Sequence, residues 1–231
     1  SSYLAIITEG KLTVPFDISY PTISVSDFEG EGTENSPYLI KSIDHLILLG
    51  DKVNDVKEAD YNSTDADGKK YNRAFTGKYF RLENDIDMAG YRFTPIGKDW
   101  SHHFDGTFDG NNHTIQGLNV STGGAGYAAL FGHAGEASVI KNLNAENPVI
   151  RASNYYAAAI VGWSDGIVDK CHVSGADVEN SGRATAGLAG VVKTITNCSV
   201  TNSNIIGLTG NVAGLASEVD ELIQNCNATE T

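Results

Sequence analysis

Three cysteines recur at nearly equal spacing and are the first residues that could carry chemistry. Cys171, Cys198 and Cys226 are separated by 27 and 28 residues, and Leu118 and Leu143 hold the same repeat position upstream. Three thiols cannot all pair, and a zinc site needs a fourth ligand with tetrahedral directions. A buried free cysteine behaves as a small hydrophobe. We therefore predict five core positions, with one disulfide or a metal site as the alternatives.

Acidic residues suggest two further kinds of chemistry. We predict segment 55–74, which is rich in carboxylates, as a mobile loop. The nearest EF-hand frame would place Ser63 and Ala74 where calcium needs carboxylates, so only a looser calcium site stays open there. Asp105 and Asp109 could form the acid–base pair of a polysaccharide-cleaving enzyme, which needs two carboxylates at a defined separation. Each precedes a glycine, however, where aspartate typically stabilises a turn.

Motifs of the common hydrolases are missing. The sequence holds no H-E-x-x-H of a zinc protease and no G-x-S-x-G of a serine hydrolase. The glycine-rich segment 123–126 lacks the G-K-[ST] of a phosphate loop. His102, His103 and His113 are close in sequence but belong to no such motif. We expect no enzymatic activity, no metal and no cofactor.

Aromatic residues remain as candidates for ligand binding. Tyr155, Tyr156 and Trp163 are predicted to lie on one turn of the repeat described below, with Trp100 and Tyr127 on the approach to them. Exposed rings on a rigid sheet stack on sugar rings or anchor protein interfaces. The alternative is that these rings pack over loops. We predict a ligand-binding site at Tyr155, Tyr156 and Trp163.

An internal repeat positions these candidates. A six-residue phrase returns every 25 to 28 residues, starting at Ile115, Ile140, Val168, Ile195 and Ile223. A second phrase, such as A-L-F-G, keeps the same period and ends at Gly132, Gly162, Gly190 and Ser217. Self-similarity at this period is typical of a solenoid, in which each repeat packs against its neighbours.

The residue types predict strands rather than helices. In the first phrase the apolar residues stand at i, i+3 and i+5, as in Ile195, Cys198 and Val200. The last two alternate as in a strand, and the extra step requires a bend. Position i+2 is Gly or Asn in four of five copies, the residues that best tolerate left-handed backbone angles. Each repeat is predicted as strand, corner, strand, variable loop and a third strand with the second phrase.

The phrases resemble those of the GLUG-repeat proteins. The likeness extends to F-D-G-T-F-D-G-N-N-H-T-I (104–115), G-T-E-N-S-P-Y-L-I (32–40) and Y-F-R-L-E-N-D-I-D-M (79–88), and covers the chain from Phe28 onwards. The resemblance implies a secreted or cell-surface protein of bacteria, notably of gut Bacteroidetes, or the non-catalytic part of an immunoglobulin A1 protease-like protein. It implies a fold and no particular activity.

Composition limits the partners and the location. Asp and Glu total 29 against 16 Lys and Arg, a net charge of −13, whereas nucleic acids and anionic membranes attract clustered basic residues. We expect neither partner, and no transmembrane segment because no stretch approaches about 20 apolar residues. Residues 1–9 lack the features of a signal peptide. Since the resemblance implies export, we expect a trimmed, monomeric chain from the extracellular or outer-membrane surface of a bacterium.

The first hundred residues precede the regular repeats. Segments 3–8 and 11–16 flank a Glu-Gly pair and are predicted as a hairpin, followed by a strand over 22–26. Ser42 is a typical N-cap for a helix over 43–54 that would cover the first turn. We divide the chain into N-terminal strands (1–30), a capping helix with irregular first turns (31–100) and the repeats (101–231).

These observations predict an all-β fold, a right-handed parallel β-helix of about five regular turns with a short N-terminal capping helix. The expected function is a non-enzymatic, adhesin-like binding module that recognises a host or environmental glycan or protein. One alternative is a structural stalk or the non-catalytic repeat region of a larger secreted protein, such as an immunoglobulin A1 protease-like protein. The second is a polysaccharide-active β-helix enzyme.

Overall fold

The computed structural model describes residues 6–8, 11–13, 27–123 and 126–231. Near the N-terminus, β1 (Ile6–Thr8) and β2 (Lys11–Thr13) pair antiparallel. This pairing confirms the predicted hairpin. The strand predicted over 22–26 lies outside the described residues.

A helix and several short strands precede the regular repeats. Helix α1 (Ile43–Asn54) has the predicted bounds and buries Leu46, Leu49 and Val53 in the main core. Ser42 is the N-cap residue, but its hydroxyl contacts Nδ1 of His45 at 3.0 Å instead of a backbone N–H. The remaining elements of this part are β3 (Tyr38–Ile40), a 3₁₀ turn (Glu58–Asp60), β4 (Ser63–Thr64), β5 (Lys70–Ala74), β6 (Tyr79–Leu82), β7 (Ile86–Asp87) and β8 (His102–Phe104).

The repeats form the rest of the chain. Their strands are β9 (Thr107–Asp109), β10 (Thr114–Gln116), β11 (Asn119–Thr122), β12 (Phe131–Ala134), β13 (Val139–Lys141), β14 (Asn144–Glu146), β15 (Val149–Ala152), β16 (Tyr156–Ala157) and β17 (Val161–Asp169). They continue with β18 (His172–Ser174), β19 (Asp177–Asn180), β20 (Ala184–Ala186), β21 (Ala189–Thr196), β22 (Ser199–Thr201), β23 (Asn204–Gly207), β24 (Asn211–Ala213), β25 (Ala216–Gln224) and β26 (Asn227–Thr229).

Strands of successive turns pair in parallel and build four sheets in the described repeats. Three sheets have the orders β7-β10-β14-β18-β22-β26, β11-β15-β19-β23 and β16-β20-β24. The fourth joins two series, β3-β6-β9-β13 and β5-β8-β12, which merge in β17 and continue as β21 and β25. The predicted parallel β-helix is confirmed, with about six turns along the six-stranded sheet.

Two predictions about loops are wrong. The variable loop of each repeat holds strands of its own, which form the sheets of β11 and β16. Segment 55–74, predicted as a mobile loop, contains a hairpin of β4 and β5, and β5 pairs with β8. Both amide atoms of the Asn62 side chain bond the backbone of Arg73, with Oδ1 accepting at 2.8 Å and Nδ2 donating at 2.9 Å. The polar composition of these segments gave no strand pattern, and most of their pairing partners lie in other turns, as β8 does for β5.

The bends of the first phrase form a column along the solenoid, here called the corner column. Its residues all have positive φ, between 50° and 64°, and are Gly117, Asn142, Lys170, Asn197 and Asn225. Lys170 therefore adopts the same left-handed backbone as the glycine and the asparagines. The amide of Asn142 donates to Asp109 at 2.9 Å, and that of Asn197 donates to Asp169 at 2.7 Å. At these two corners the asparagine side chain therefore links its turn to the preceding one.

The glycines of the second phrase allow the backbones of adjacent turns to approach closely. A Cβ added to Gly162 would lie 2.8 Å from the carbonyl oxygen of Gly132 and 2.7 Å from Cβ of Tyr127. Likewise, a Cβ on Gly132 would meet the carbonyl oxygen of Gly97, and one on Gly190 that of Gly162. Gly97 ends a further copy of the phrase, T-P-I-G, in which Ile96 bridges to Phe131.

The five predicted core positions lie in the interior to different extents. Leu118, Leu143, Cys171 and Cys198 are at most 1% exposed, whereas Cys226 is only partly buried. All three thiols are free. Cys226 belongs to the last turn, where Ile223 is 55% exposed although its counterpart Ile195 is fully buried. No further described turn packs over these residues.

Candidate ligand-binding cleft

The residue that follows each second phrase points away from the core, because side chains alternate along a strand. His133 and Trp163 follow Gly132 and Gly162 and are direct neighbours in register. Together with the equivalent residues of the other turns they form the cleft column: Arg73, His103, His133, Trp163, Val191 and Glu218. The column therefore carries five different residue types in six turns, with histidine in two successive turns.

Aromatic rings on this face touch one another in a continuous series. The centroids of Trp100 and Tyr71 lie 5.6 Å apart, and those of Tyr71 and His103 lie 4.5 Å apart. The imidazoles of His103 and His133 stack at 3.8 Å. Tyr127 meets His133 edge-on at 5.5 Å. Each ring is held by its neighbours, so the face is rigid.

These rings line a cleft of about 290 Å³, here called the aromatic cleft. The aromatic part of its lining is Tyr71, Trp100, Tyr127 and Trp163. The carboxylates of Asp65 and Asp165 also line it. A second cleft of about 390 Å³ shares Tyr71, His103 and Asp165 with the first. Its further carboxylates come from Glu136, Asp220 and Glu221. The two clefts therefore join at Asp165.

Asp165 is the central charge of the joined clefts. Its Oδ1 accepts from Nε1 of Trp163 at 2.8 Å, and its Oδ2 lies 3.3 Å from Nε2 of His133. Burial alone would raise the pKa of Asp165, but the hydrogen bonds from His133 and Trp163 outweigh it and lower the pKa below its ordinary value. The carboxylate is therefore ionised at neutral pH.

The two imidazoles below it are buried. His103 is 7% exposed and His133 is 3% exposed. Burial, helped by the neighbouring His133, lowers the pKa of His103 to about 4, so the His103 ring is neutral at pH 7. Nε2 of His103 lies 2.7 Å from the carbonyl oxygen of Trp100 and must carry the hydrogen. Nδ1 of His133 has no hydrogen-bond partner among the described residues.

One cation of the chain already contacts a ring that lines the cleft. Nζ of Lys69 stands 3.5 Å above the centroid of the Trp100 ring. Lys69 is positioned by the turn of the β4–β5 hairpin, in which Oδ1 of Asp65 accepts from the backbone N–H groups of Asp67 and Lys69. The ring face of Trp100 is therefore able to hold an ammonium group.

The predicted ligand-binding residues are brought together only in part. Trp163 lines the aromatic cleft. Tyr155 is 44% exposed and meets Tyr127 at 6.0 Å, beside the lining residues. Tyr156 is only 3% exposed, in a small second core with Tyr127 and Val191. The expectation that Tyr156 is an exposed ring is wrong, because the strands that fill the variable loop pack it over the sheet.

The other candidates occupy structural positions. Asp105 is fully buried and ion-paired with Arg73, and it also accepts from the backbone N–H of Ala137 at 3.1 Å. Asp109 accepts from the backbone N–H of Asn111 at 2.8 Å, as a turn-forming aspartate does. A buried, paired carboxylate is not accessible to a substrate, so the enzyme alternative loses one of its two residues.

The three histidines that are close in sequence diverge in space. His102 lies 2.7 Å from Asp99, whereas His113 lies 3.0 Å from Asp85, and these two residues directly precede β10 and β7 of another sheet. Only His103 enters the cleft. Within the described residues, no group of three or more His, Cys, Asp and Glu side chains could hold a metal ion. Likewise, none of the described helices is both long and apolar enough to cross a membrane.

Sequence reasoning did not assign Tyr71, His103, His133 and Asp165 to the site. Tyr71 and His103 lie on strands that were predicted as a loop or as irregular, so their direction was not predictable. His133 and Trp163, in contrast, occupy one repeat position directly after the phrase glycine. A comparison of this position across all copies of the repeat was the sequence signal that could have placed His133 beside Trp163.

Known proteins show similarity to this chain in fold and in part of the sequence. No protein-family model matches it. Over 148 residues, or 64% of the chain, it is 32% identical to halomucin of Haloquadratum walsbyi. Over 152 residues, or 62% of the chain, it is 29% identical to a protein of Evansella cellulosilytica named "Putative Gly-rich membrane protein". The matches span only 2% and 15% of these relatives.

A solved structure has the same fold. The crystal structure of a protein named "putative immunoglobulin A1 protease", from Bacteroides ovatus, superposes with a TM-score of 0.60 and covers 86% of this chain. The identity is 22%, and the match spans 58% of that protein. The likeness therefore establishes the β-solenoid fold and leaves the activity open. The GLUG assignment stays a prediction.

Proposed function

We propose that this chain is a non-enzymatic binding module of an extracellular or cell-surface protein, and that its ligand, a glycan or a protein, occupies the joined clefts. The aromatic cleft is the observation that carries this proposal. It combines four aromatic side chains with the carboxylates of Asp65 and Asp165 on a parallel sheet. Such rings provide large contact areas at a low cost in conformational entropy.

Two further observations support a binding role. The cleft column holds five residue types in six turns while the backbone repeats, which suits a recognition surface on a solenoid. The buried pairing of Asp105 removes the carboxylate pair that would favour catalysis. The names of the relatives, halomucin and a membrane protein, favour a location outside the cytoplasm.

A second candidate is the non-catalytic repeat region or stalk of a longer secreted protein. It is favoured by the name and length of the solved neighbour, of which the match spans 58%. In that case the solenoid positions another domain, and substitutions in the cleft leave the function of the whole protein unchanged.

An array of glycans and extracellular matrix proteins tests the proposal. We expect saturable binding to one class, lost or weakened at least tenfold in Trp163→Ala and in Tyr71→Ala. Tyr155→Ala is the matched control, because this tyrosine is exposed and stands beside the lining residues. Binding that none of the cleft substitutions alters would place the ligand elsewhere, and silence across the array would favour the stalk.

A further inference from the structure

The carboxylate of Asp165 presents hydrogen-bond acceptors to the aromatic cleft. Asp165 is ionised, and each of its oxygens keeps a lone pair beyond the bonds from Trp163 and His133. Nε2 of His133 donates to this carboxylate at 3.3 Å. A ligand that donates hydrogen bonds can therefore use the acceptor capacity that remains on Asp165.

The charges around the cleft favour a cation. In the adjoining cleft, Arg73 is ion-paired with Asp105, and Lys193 lies 3.3 Å from Glu221. Glu136, Asp165 and Asp220 are left as unneutralised carboxylates on the lining. The net charge of −13 adds a long-range attraction for cationic ligands.

The aromatic rings reinforce this choice. Cations bind to the faces of Trp and Tyr rings, because the ring quadrupole places negative charge there. Lys69 shows the contact directly, with its ammonium 3.5 Å from the centroid of Trp100. The same rings also stack on the C–H faces of a pyranose, so a ligand that joins a sugar ring to an amine would use both properties of the cleft.

We propose that the aromatic cleft binds an amino sugar, with the protonated amine at Asp165 and the sugar ring against Trp163 and its neighbouring rings. The inference rests on the proposed function and names the ligand class of the same site. Further amine-bearing residues of an oligosaccharide would extend along Glu136 and Asp220 in the adjoining cleft. The ammonium of Lys69 competes for the face of Trp100 until the ligand displaces it.

Calorimetric titration with two ligands that differ only in the amine tests the inference. We expect glucosamine oligosaccharides to bind saturably, and their N-acetylated counterparts, which are uncharged, to bind at least tenfold more weakly. Asp165→Asn should weaken binding of the amine form by a similar factor. Asp87→Asn, an exposed carboxylate on the sheet of β7, is the matched control and should change nothing.

Lys69→Ala provides the sharpest test because it predicts a gain. Removing the ammonium that lies over Trp100 should raise the affinity for glucosamine oligosaccharides severalfold, whereas a merely structural Lys69 would lower it or leave it unchanged. If Asp165→Asn fails to fold, as judged by circular dichroism, Asp65→Asn replaces it. Asp65 lies in the exposed hairpin turn, and an asparagine keeps its turn acceptor.

Several results would overturn the inference. Equal binding of the acetylated oligosaccharides would mean that the cleft does not recognise the charged amine. Tighter binding of lysine oligomers would identify a basic peptide as the ligand. In both cases cleft binding itself, and hence the proposed function, stands. Failure of every glycan and protein in the array to bind would reject the proposed function together with the inference.

Discussion

The corner column and the cleft column run through the same turns, yet they differ in what each position demands. In the corner column every residue has the same left-handed φ, and the side chains are glycine, asparagine and one lysine. In the cleft column the backbone is an ordinary strand, and the side chains run from arginine through histidines and tryptophan to valine and glutamate.

The difference separates structure from recognition within one repeat. A left-handed φ restricts the residue types, because L-amino acids other than glycine are strained at that angle. An outward strand position restricts them little, so each turn can present its own chemistry at the same spacing. Substitutions in the corner column should therefore change stability, and substitutions in the cleft column should change binding. His103 and His133 are exceptions: they belong to the cleft column but are buried, so substitutions there should also change stability.

The largest effect expected is a loss of stability in acid, caused by His103 in the cleft column. Its pKa is about 4 in the folded protein against an ordinary 6.5. Above pH 6.5 both states are neutral. As the pH falls from 6.5 to 4, only the unfolded state takes up the proton, so stability is lost over this window. The loss is on the order of 3 kcal/mol, measured by urea unfolding at several pH values.

The variant His103→Gln separates this effect from the other titrating groups. Asp105 and Asp165 lie near the ring and raise its pKa, against the larger effect of burial. The difference in the free energy of unfolding between wild type and variant should therefore shrink by about 3 kcal/mol between pH 7 and pH 4.5. Parallel stability curves of the two proteins would mean that His103 is protonated in the folded state already.

The next largest effect is expected at Gly162, which directly precedes Trp163 of the cleft column. An added Cβ would lie 2.7 Å from Cβ of Tyr127 and 2.8 Å from the carbonyl oxygen of Gly132. Gly162→Ala should destabilise the protein by about 1–3 kcal/mol, because turns or side chains must move apart. It should also disturb ligand binding, because Tyr127 lines the cleft. Gly123→Ala, whose Cβ would have nothing within 4 Å, is the control.

A smaller loss is expected at Asn197 in the corner column. Asn197→Ala places alanine at a φ of 53°. It also removes two side-chain hydrogen bonds, the one donated to Asp169 at 2.7 Å and the one accepted from Asn225 at 3.1 Å. Together these should cost about 1–2 kcal/mol in urea unfolding. Asn197→Gly loses the same two hydrogen bonds but adopts the backbone angle without strain, so it should cost less. An equal cost for both variants would show that the angle contributes nothing.

The smallest effect is a gain at Lys170, the exception in the corner column. Its φ is 50°, an angle that lysine adopts at a cost and asparagine tolerates. Lys170→Asn should raise the free energy of unfolding by about 0.5–1 kcal/mol, which thermal or urea unfolding can detect. A destabilised variant would mean that the lysine side chain contributes more than its backbone strain costs.

Much of the fold could be predicted because it is periodic. The spacing of the apolar residues at i, i+3 and i+5, with Asn or Gly between them, specifies strand, corner and strand whatever the neighbours are. Helix α1 was likewise predicted with its bounds, because its signals are local. The strands inside the variable loop carry no such local signal. They exist because the same segment of the next turn pairs with them.

The site was predictable only where it follows the repeat. Trp163 was named because an aromatic residue on a repeating sheet is a candidate by itself, and Trp100 and Tyr127 were placed near it. Tyr156 was assigned to the wrong environment, since its burial depends on Val191 one turn later. Tyr71 and His103 enter the cleft only through the pairing of β5 with β8.

By itself, then, the sequence determined the solenoid, the period of its turns and the residues that fill its core, because each of these depends on short-range patterns of polarity and backbone preference. Only the tertiary structure decided which rings stay exposed, which carboxylate is neutralised and which remains charged. Asp105 and Asp165 look alike in sequence, but one is paired with Arg73 in the interior and the other accepts hydrogen bonds in the cleft. That difference depends on which residues lie beside them in space, and those neighbours come from distant turns.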